Sequence, residues 1–231
     1  MNDVNQVYCF GDSITKGVPG VSYLNYLDTT RFINRGVGGD TLTTMTKRLI
    51  PFLHNKSNLK IIIEIGANDL LLPYLVQSSP AWKRTINLKQ KAPIEDSKSF
   101  YSSFERLINL CLVHRLIIVN IPCLGETFNS HLNQNVDQHN YQIKALCTNY
   151  NIPLVDFNHW QKQHQILEPT YFISQHPIDV LIDTVMTTHL EKSTHLSNKR
   201  NLMMTIDGVH LNEFGAQHLA SMVSSSSFNS N

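Results

Sequence analysis

The fold of this chain is decided near its start, by the stretch VYCFGDSI at residues 7–14. Four apolar, strand-prone residues lead directly into a Gly-Asp-Ser turn. A short apolar run of this kind is typical of a buried strand in a parallel sheet. Ligands of open α/β sheets bind outside the carboxyl ends of the strands, so Ser13 is predicted to lie where a nucleophile would be placed. Gly-Asp-Ser is also a common turn, and the functional interpretation therefore depends on partners elsewhere in the chain.

Two later apolar runs also end in glycine followed by polar residues. One leads into RGVGGDT at residues 35–41, where three glycines indicate a loop whose backbone must come close to another group. The other, KIIIEI, leads into GAND at residues 66–69. Gly39 in the first loop and Asn68 in the second are therefore placed, like Ser13, just beyond a buried strand.

Buried strands alternate with amphipathic helices along the chain, which predicts a three-layer α/β/α fold around a parallel sheet. Residues 70–96 contain three prolines and resemble no single regular element. The serine-rich end, residues 223–231, is predicted to be a loose tail. No repeat or linker-like composition divides the chain, so residues 1–231 are predicted to form one domain. The predicted strands lie at residues 7–10, 31–34, 60–65, 116–121 and 153–156.

Residues 157–206 form a long segment between the last predicted strand and the final motif. The sequence predicts an amphipathic helix here, with Pro177 in its first turn and Leu181 and Val185 on its apolar side. Because the segment directly precedes the final motif, we expect an insertion that shapes the acyl or leaving-group pocket; the alternative is a helix that only packs on the core. Its histidines lack the spacing of metal ligands, and no metal is expected.

The final motif, DGVHLNEF at residues 207–214, places a carboxylate and an imidazole three residues apart in a turn. Asp207 and His210 can therefore hydrogen-bond each other, while Asn212 is predicted to cap the helix that follows. Taken alone, this pattern is also typical of a purely structural Asp–His contact.

Acyl transfer requires a nucleophile, a base, a group that orients the base and donors for the oxyanion. Ser13 supplies a hydroxyl, His210 can accept its proton, and Asp207 can fix the imidazole tautomer. The oxyanion donors would be the backbone N–H groups of Ser13 and Gly39 together with the side-chain amide of Asn68. The last three blocks thus provide the partners that the Gly-Asp-Ser turn needs.

With these blocks in this order, the sequence resembles the SGNH hydrolases, the GDSL-type esterases and lipases. The resemblance covers residues 7–220 and rests on GDS at 11–13, Gly39 within GGDT, GAND at 66–69 and DGVH at 207–210. The family implies a flavodoxin-like α/β/α fold with a five-stranded parallel sheet. It also implies ester hydrolysis through an acyl-serine intermediate.

Carried over by position, the resemblance makes Ser13 the nucleophile, with His210 and Asp207 completing the catalytic triad. Gly39 and Asn68 become oxyanion donors beside the Ser13 backbone amide. Members of the family need no metal or organic cofactor, so none is expected here. The long segment before the last block departs from compact members and leaves the substrate pocket undefined.

The predicted function is serine ester hydrolysis, with a small-molecule ester as the partner. Acyl esters, acetylated sugars, lysophospholipids and thioesters all remain open as substrates. An O-acyltransferase is one alternative, because it would use the same triad to pass the acyl group to an alcohol. A catalytically silent binding module on the same scaffold is another, although the presence of all five site residues argues against it.

The net charge limits the classes of macromolecule that the chain is expected to bind. The 231 residues carry 19 basic and 18 acidic side chains, and this net charge of +1 gives no electrostatic case for a nucleic-acid partner. One local basic run near Trp82 is typical of a solvated segment, and contact with an anionic surface is its alternative interpretation. The run consists of Lys83, Arg84, Lys89 and Lys91.

The four cysteines include no Cys-x-x-Cys pair and are predicted to be buried free thiols of a reducing compartment. The chain does not open with a positive leader and a long apolar region, so no signal peptide is expected. No apolar run reaches transmembrane length. A cytoplasmic location is the default expectation, and a mature secreted form stays open if Met1 was added by cloning.

Overall fold

The computed structural model describes residues 5–164, 171–226 and 228. A parallel sheet of five strands forms its centre, in the spatial order second, first, third, fourth and fifth. Helices cover both faces of this sheet, which confirms the predicted three-layer α/β/α fold. The strands are β1 (Val7–Gly11), β2 (Phe32–Gly36), β3 (Lys60–Glu64), β4 (Arg115–Val119) and β5 (Leu154–Val155).

The described residues also form ten α-helices and one short 3-10 helix. The helices are α1 (Ser13–Lys16), α2 (Leu42–Leu53), α3 (Ala67–Ser78), α4 (Pro80–Leu88), α5 (Ser97–Cys111), α6 (His131–Asn149), α7 (Phe157–Gln163), α8 (Pro177–Thr188), α9 (Ser193–Lys199) and α10 (Glu213–Ser226), with the 3-10 helix at Tyr23–Tyr26. Helices α2, α5 and α6 pack side by side, whereas α10 packs against the 3-10 helix.

The centre of the sheet is apolar on both faces. Ile61, Ile62 and Ile63 of β3 are all fully buried, because each strand face is covered by a helical layer. The register aligns Gly11 with Gly36 of β2 on one side and with Glu64 of β3 on the other. The loops that follow β1, β2 and β3 therefore leave the sheet side by side, at the point where the strand order reverses.

Residues 70–96, which resemble no single regular element in the sequence, contain two helices over their first part, most of α3 and the whole of α4. Pro80 is the first residue of α4, where a missing N–H costs nothing and the fixed φ favours the helix. Pro73 lies inside α3 and removes one intrahelical hydrogen bond. Helix α3 tolerates this loss because it buries most of its side chains, Leu75 among them.

The expectation of a loose tail at residues 223–231 is wrong at its start. Helix α10 continues through Ser226, and Val223 is fully buried in the core. Phe228 is also buried, with the Arg115 guanidinium 5.3 Å from its ring centroid. Five of the nine residues at 223–231 are serines, and this composition conceals two buried apolar residues, at 223 and 228. Residues 227 and 229–231 lie outside the described residues.

The four cysteines are buried and unpaired, as predicted. Burial raises the pKa of each thiol, to about 12 for Cys9, Cys111 and Cys147 and further for Cys123. Within the described part of the chain, no helix combines the length and apolar character needed to cross a bilayer.

Candidate active site

Ser13 lies at the point where β1 turns into α1. Asp12 caps this short helix, with its Oδ1 accepting from the Ile14 backbone N–H at 2.9 Å. The turn requires glycine at position 11, because a Cβ there would lie 2.1 Å from the Thr15 Oγ1 and 2.7 Å from the backbone oxygen of Glu64. Ser13 is therefore delivered to the sheet edge immediately after a buried strand, as predicted from the sequence.

Asp207 and His210 lie in one turn just before α10. His210 Nδ1 donates to Asp207 Oδ2 at 2.7 Å, and Asp207 Oδ1 accepts from the backbone N–H groups of Val209 and His210 at 3.0 and 2.8 Å. Gly208 makes this turn possible, since its φ is +86° and a Cβ would lie 1.9 Å from the Phe172 carbonyl oxygen. One carboxylate oxygen thus holds the imidazole, and the other holds the backbone of the turn.

The structure brings Ser13 and His210 together across 197 residues of sequence. His210 Nε2 lies 2.9 Å from Ser13 Oγ, while its other ring nitrogen is bound to Asp207. With Nδ1 protonated and directed at the carboxylate, Nε2 is the acceptor for the serine hydroxyl proton. All three side chains are buried, so the hydrogen-bonded chain from Ser13 to Asp207 is largely shielded from water.

The electrostatics of the pair favour a charged imidazole facing a charged carboxylate. Burial disfavours the protonated form of His210, but the Asp207 charge and its hydrogen bond outweigh burial and raise the His210 pKa above its usual value. Burial likewise acts against the charged form of Asp207, yet His210 and the backbone donors hold the pKa of that carboxyl below its usual range. A proton taken up at Nε2 is therefore stabilised where it arrives.

Asn68 lies in the first turn of α3, beside Ser13. Its side-chain Nδ2 donates to Asp12 Oδ2 at 3.0 Å and to the Asp40 carbonyl oxygen at 2.9 Å. These two bonds fix the amide between the loops that follow β1 and β2. Gly39, with a φ of +71°, lines the same cavity as Ser13 and Asn68, so the three predicted oxyanion donors lie around one space.

A pair of buried carboxyl groups lies beneath Ser13. Glu64 is fully buried at the end of β3, where its Oε2 accepts from Thr15 Oγ1 at 3.0 Å. Burial raises the pKa of Glu64 to about 7, and burial followed by the Glu64 charge raises the pKa of Asp12 well above its usual range. Sequence reasoning missed this pair, although one charged residue within an isoleucine strand was a signal for it.

Asp69 connects three segments around the site. Its Oδ2 accepts from the Leu42 N–H at 2.8 Å, and its Oδ1 accepts from the Ile94 N–H at 2.9 Å. The carboxyl is fully buried, and burial raises its pKa to about 7. The start of α3 is thereby joined to the start of α2 and to the loop after α4, which positions Asn68 next to Gly39.

Glu126 holds the chain just ahead of the Asp207 turn. This buried carboxylate accepts from the backbone N–H groups of Met203, Met204 and Thr205, and from Thr205 Oγ1, at 2.7 to 2.9 Å. Four donors on one carboxylate fix the approach to the turn. These hydrogen bonds join the loop after β4 to a segment about 78 residues later in the sequence. No motif in the sequence predicted them.

A cavity of about 320 Å³ opens beside Ser13 and His210. One face of α3 and one face of α4 form its apolar walls, at the helical spacing of three and four residues. On each of the two helices, the lining side chains therefore share one helical face. The apolar residues that they contribute are Leu71, Leu72, Leu75, Trp82 and Ile86.

Helix α8, from the segment at 157–206, lines the cavity with Val180 and Thr184. The expectation that Leu181 and Val185 face a pocket or the core is wrong, because these side chains are 63% and 45% exposed. Each lies one residue beyond a cavity-lining position, about 100° further around the helix. Apolar residues of α8 therefore lie on its exposed side as well as on the side that faces the cavity.

Arg200 ties this segment to the Asp207 turn. Its guanidinium donates to both carboxylate oxygens of the fully buried Asp183 at 2.8 and 2.9 Å, and to the Ile206 carbonyl oxygen at 2.6 Å. Asp183 belongs to α8, so Arg200 binds both that helix and the residue just before Asp207.

Within the described ranges, no group of three or more His, Cys, Asp or Glu side chains could hold a metal ion.

Comparisons with known proteins give a family match and several similar structures. The family model described as GDSL-like Lipase/Acylhydrolase matches residues 7–223. A member of the lipolytic protein G-D-S-L family from Veillonella parvula has a similar structure, with 19% identity, a TM-score of 0.60, and coverage of 95% of this chain and 96% of that one. No curated protein matches the sequence.

Two esterases also have similar structures. A variant of Axe2, an acetyl-xylooligosaccharide esterase from Geobacillus Stearmophilus, is 14% identical with a TM-score of 0.63, and the match covers 97% of this chain and 95% of that one. The acetyl xylan esterase AlAXEase is 18% identical with a TM-score of 0.58, covering 95% of this chain and 98% of that one. At these identities the likeness shows a shared fold.

Proposed function

Because this chain belongs to the GDSL-like lipase/acylhydrolase family, we propose that it hydrolyses carboxylic esters through an acyl intermediate on Ser13. The observation that carries the proposal is the hydrogen-bonded chain from Ser13 Oγ through His210 to Asp207, at 2.9 and 2.7 Å. The similar structures of two esterases support hydrolysis of an ester, and the apolar cavity beside Ser13 supports an acyl group as the part that is bound.

In the first half of the proposed reaction, Ser13 Oγ attacks the carbonyl carbon of the ester while its proton passes to His210 Nε2. The imidazolium is stabilised by Asp207, whose two oxygens hold the ring and its backbone. Collapse of the tetrahedral intermediate expels the alcohol, which takes the proton from Nε2. Ser13 is left carrying the acyl group.

The second half repeats these steps with water in place of the alcohol. Neutral His210 accepts a proton from water, whose oxygen attacks the acyl carbon, and the proton then returns to Ser13 Oγ as the acid leaves. In both halves the negative charge on the substrate oxygen is stabilised by the N–H groups of Ser13 and Gly39 and by the Asn68 amide. Both N–H groups of the Asn68 amide have acceptors in this structure, so donation to the substrate oxygen replaces the bond to Asp12 Oδ2 or the bond to the Asp40 carbonyl as the charge develops.

Labelling with a fluorophosphonate probe tests the nucleophile. We expect one label per chain, on Ser13, because this is the one hydroxyl among the described residues that combines a cavity position with a hydrogen bond to His210. Ser174 is the matched control, since it lines the same cavity but has its hydroxyl bound to Tyr171. Ser13→Ala should abolish labelling and Ser174→Ala should preserve it; the reverse pattern by peptide mass analysis would refute the proposal.

A further inference from the structure

The cavity beside Ser13 is chemically divided between its interior and its rim. The interior is lined by buried apolar side chains, among them Leu72, Leu75 and Ile86. Three lysines also line the cavity, and two of them, Lys16 and Lys89, are exposed. A ligand that fits both parts is apolar at one end and polar at the other.

Helix α4 shows this division along a single face. Trp82, Thr85, Ile86 and Lys89 all line the cavity, at positions i, i+3, i+4 and i+7 of one helical face. Burial decreases toward the end of the helix, from Trp82 and Ile86 to the exposed Lys89. Lys83 belongs to the same basic run but does not line the cavity. The run therefore has two sides, and only one of them faces the site.

The other two lysines come from α1 and from the loop after α4. Lys16 follows Ser13 by one turn of α1 and is exposed. Lys91 extends over Gly39, where a Cβ would lie 3.2 Å from its Cε. Its ammonium lies 3.2 Å from Asp40 Oδ1, and its side chain is 12% exposed. Two lysines thus line the cavity near the predicted site residues, one in the helix that begins with Ser13 and one over Gly39.

The charge of this rim is not balanced within the cavity. Asp207 is the one acidic residue that lines the described cavity, and it is bound to His210. Asp40 neutralises Lys91 but is shared with Arg48, at 2.6 Å. Among the described residues, no ion pair involves Lys16 or Lys89. A positive field therefore lies at the mouth of a site in a protein whose net charge is only +1.

We propose that the ester hydrolysed here has an apolar acyl chain and an alcohol that carries a negative charge. This inference rests on the proposed ester hydrolysis. The acyl chain enters the apolar interior between α3 and α4, and the anionic group of the alcohol, a phosphate or a carboxylate, lies near Lys16 and Lys89. Departure of the alcohol toward this exposed rim leaves the acyl group held in the interior on Ser13.

Matched esters with one acyl chain test the inference. We would compare kcat/KM for 1-octanoylglycerol, its 3-phosphate, its 3-phosphocholine derivative and octanoylglycerate, in low and high salt. Both anionic esters should exceed neutral 1-octanoylglycerol by roughly tenfold or more in low salt, and the difference should shrink as salt rises. The zwitterionic phosphocholine ester should behave like the neutral one. A preference for the phosphate ester alone would identify phosphate, rather than charge in general, as the recognised group.

Charge-removing variants locate the effect. In the double variant Lys16→Gln, Lys89→Gln, the ratio of kcat/KM for anionic over neutral ester should fall several-fold, toward one. Lys83→Gln is the matched control, since it removes a charge from the other side of α4, and its ratio should stay at the wild-type value. A wild-type ratio near one, or an equal fall in the control, would overturn the inference.

The same assays separate failure of the inference from failure of the proposed function. Hydrolysis of all four esters at similar rates, with Ser13 still labelled by a fluorophosphonate, would reject the charged alcohol and retain the ester hydrolase. Absence of hydrolysis for every ester, together with absence of labelling at Ser13, would reject both.

Discussion

Two regions around the cavity differ in what holds them: the strand ends that carry Ser13 and Asn68, and the helical wall formed by α3, α4 and α8. The strand ends are fixed by hydrogen bonds between buried polar groups, such as those of Asn68 to Asp12 and to the Asp40 carbonyl. In the wall, α3 and α4 bury mainly apolar side chains, whereas α8 is exposed over much of its surface and is held by the ion pair of Asp183 with Arg200. We infer that the first region determines the chemistry and the second determines which ester is used.

This division has a direct experimental consequence. Substitutions at the strand ends and at the His210 turn should lower the rate for every ester, because they act on the reacting atoms. Substitutions in the wall should change the ranking of esters, because they act on the bound chain. The two regions can therefore be separated by asking whether a variant changes the rate or the preference.

The largest effect is expected for His210→Ala. Loss of the base should lower kcat/KM by about 10⁴-fold for every ester, since the members of a triad act as a unit. Asp207→Asn should leave somewhat more activity, because the imidazole remains but loses its orienting charge. Steady-state kinetics with p-nitrophenyl esters measure both variants. If either one keeps a tenth of the wild-type kcat, this pair is not the base.

Asn68→Ala should have the next largest effect. Removal of one oxyanion donor lowers kcat by about 10²–10³-fold, with little change in KM, because the interaction strengthens as charge develops. The variant also loses the bonds to Asp12 and to the Asp40 carbonyl, so some loss of thermal stability should accompany it. Steady-state kinetics and a melting curve together distinguish a role of Asn68 in oxyanion stabilisation from a purely structural role. A normal kcat with a lowered Tm would assign Asn68 to structure alone.

The wall should respond differently, and Val180→Phe tests it. A larger side chain at this cavity position should shorten the preferred acyl chain, at a cost of about 0.8 kcal/mol for each methylene that no longer fits. That corresponds to roughly fourfold in kcat/KM per methylene.

Val185→Phe is the matched control for the wall, since it makes the same change at an exposed position of α8. A series of p-nitrophenyl esters from acetyl to palmitoyl measures both variants. The comparison between the two regions breaks down if Val180→Phe slows all esters equally, or if both variants shift the preference alike.

The smallest effect concerns pH. Only neutral His210 accepts the serine proton, so kcat/KM should rise with pH. The rise should have its midpoint above 6.5, because the Asp207 charge and hydrogen bond outweigh burial and raise the His210 pKa. Asp207→Asn should move the midpoint downward, since burial alone favours the neutral ring. A pH profile with a neutral ester checks the sign, and a wild-type midpoint below 6.5 would contradict it.

The same two regions differ in how well the sequence predicts them. Ser13, Asp207 and His210 lie in short turns, where a glycine or a cap fixes the local geometry within a few residues. Parallel strands bring such turns to one edge of the sheet, so the grouping of Gly39 and Asn68 with them followed from strand order.

The wall could not be predicted in this way. With prolines at 73 and 80, this stretch resembled no single element, and its division into two helices depends on tertiary packing of leucines and on an allowed first-turn proline. Leu181 and Val185 had the right spacing for a packed face, but periodicity alone does not say which side of a helix meets the protein. Glu126 was missed for a related reason, because its partners lie about 78 residues away in the sequence.

The central claim, an acyl intermediate on Ser13, is tested most directly by mass spectrometry of the protein during turnover. A p-nitrophenyl ester acylates quickly, so acid quenching within the first turnover should trap the intermediate. We predict a mass increase equal to one acyl group, located on the peptide that contains Ser13 and absent from Ser13→Ala. An acyl group on another residue, or release of p-nitrophenol with the protein mass unchanged throughout the burst, would contradict the account.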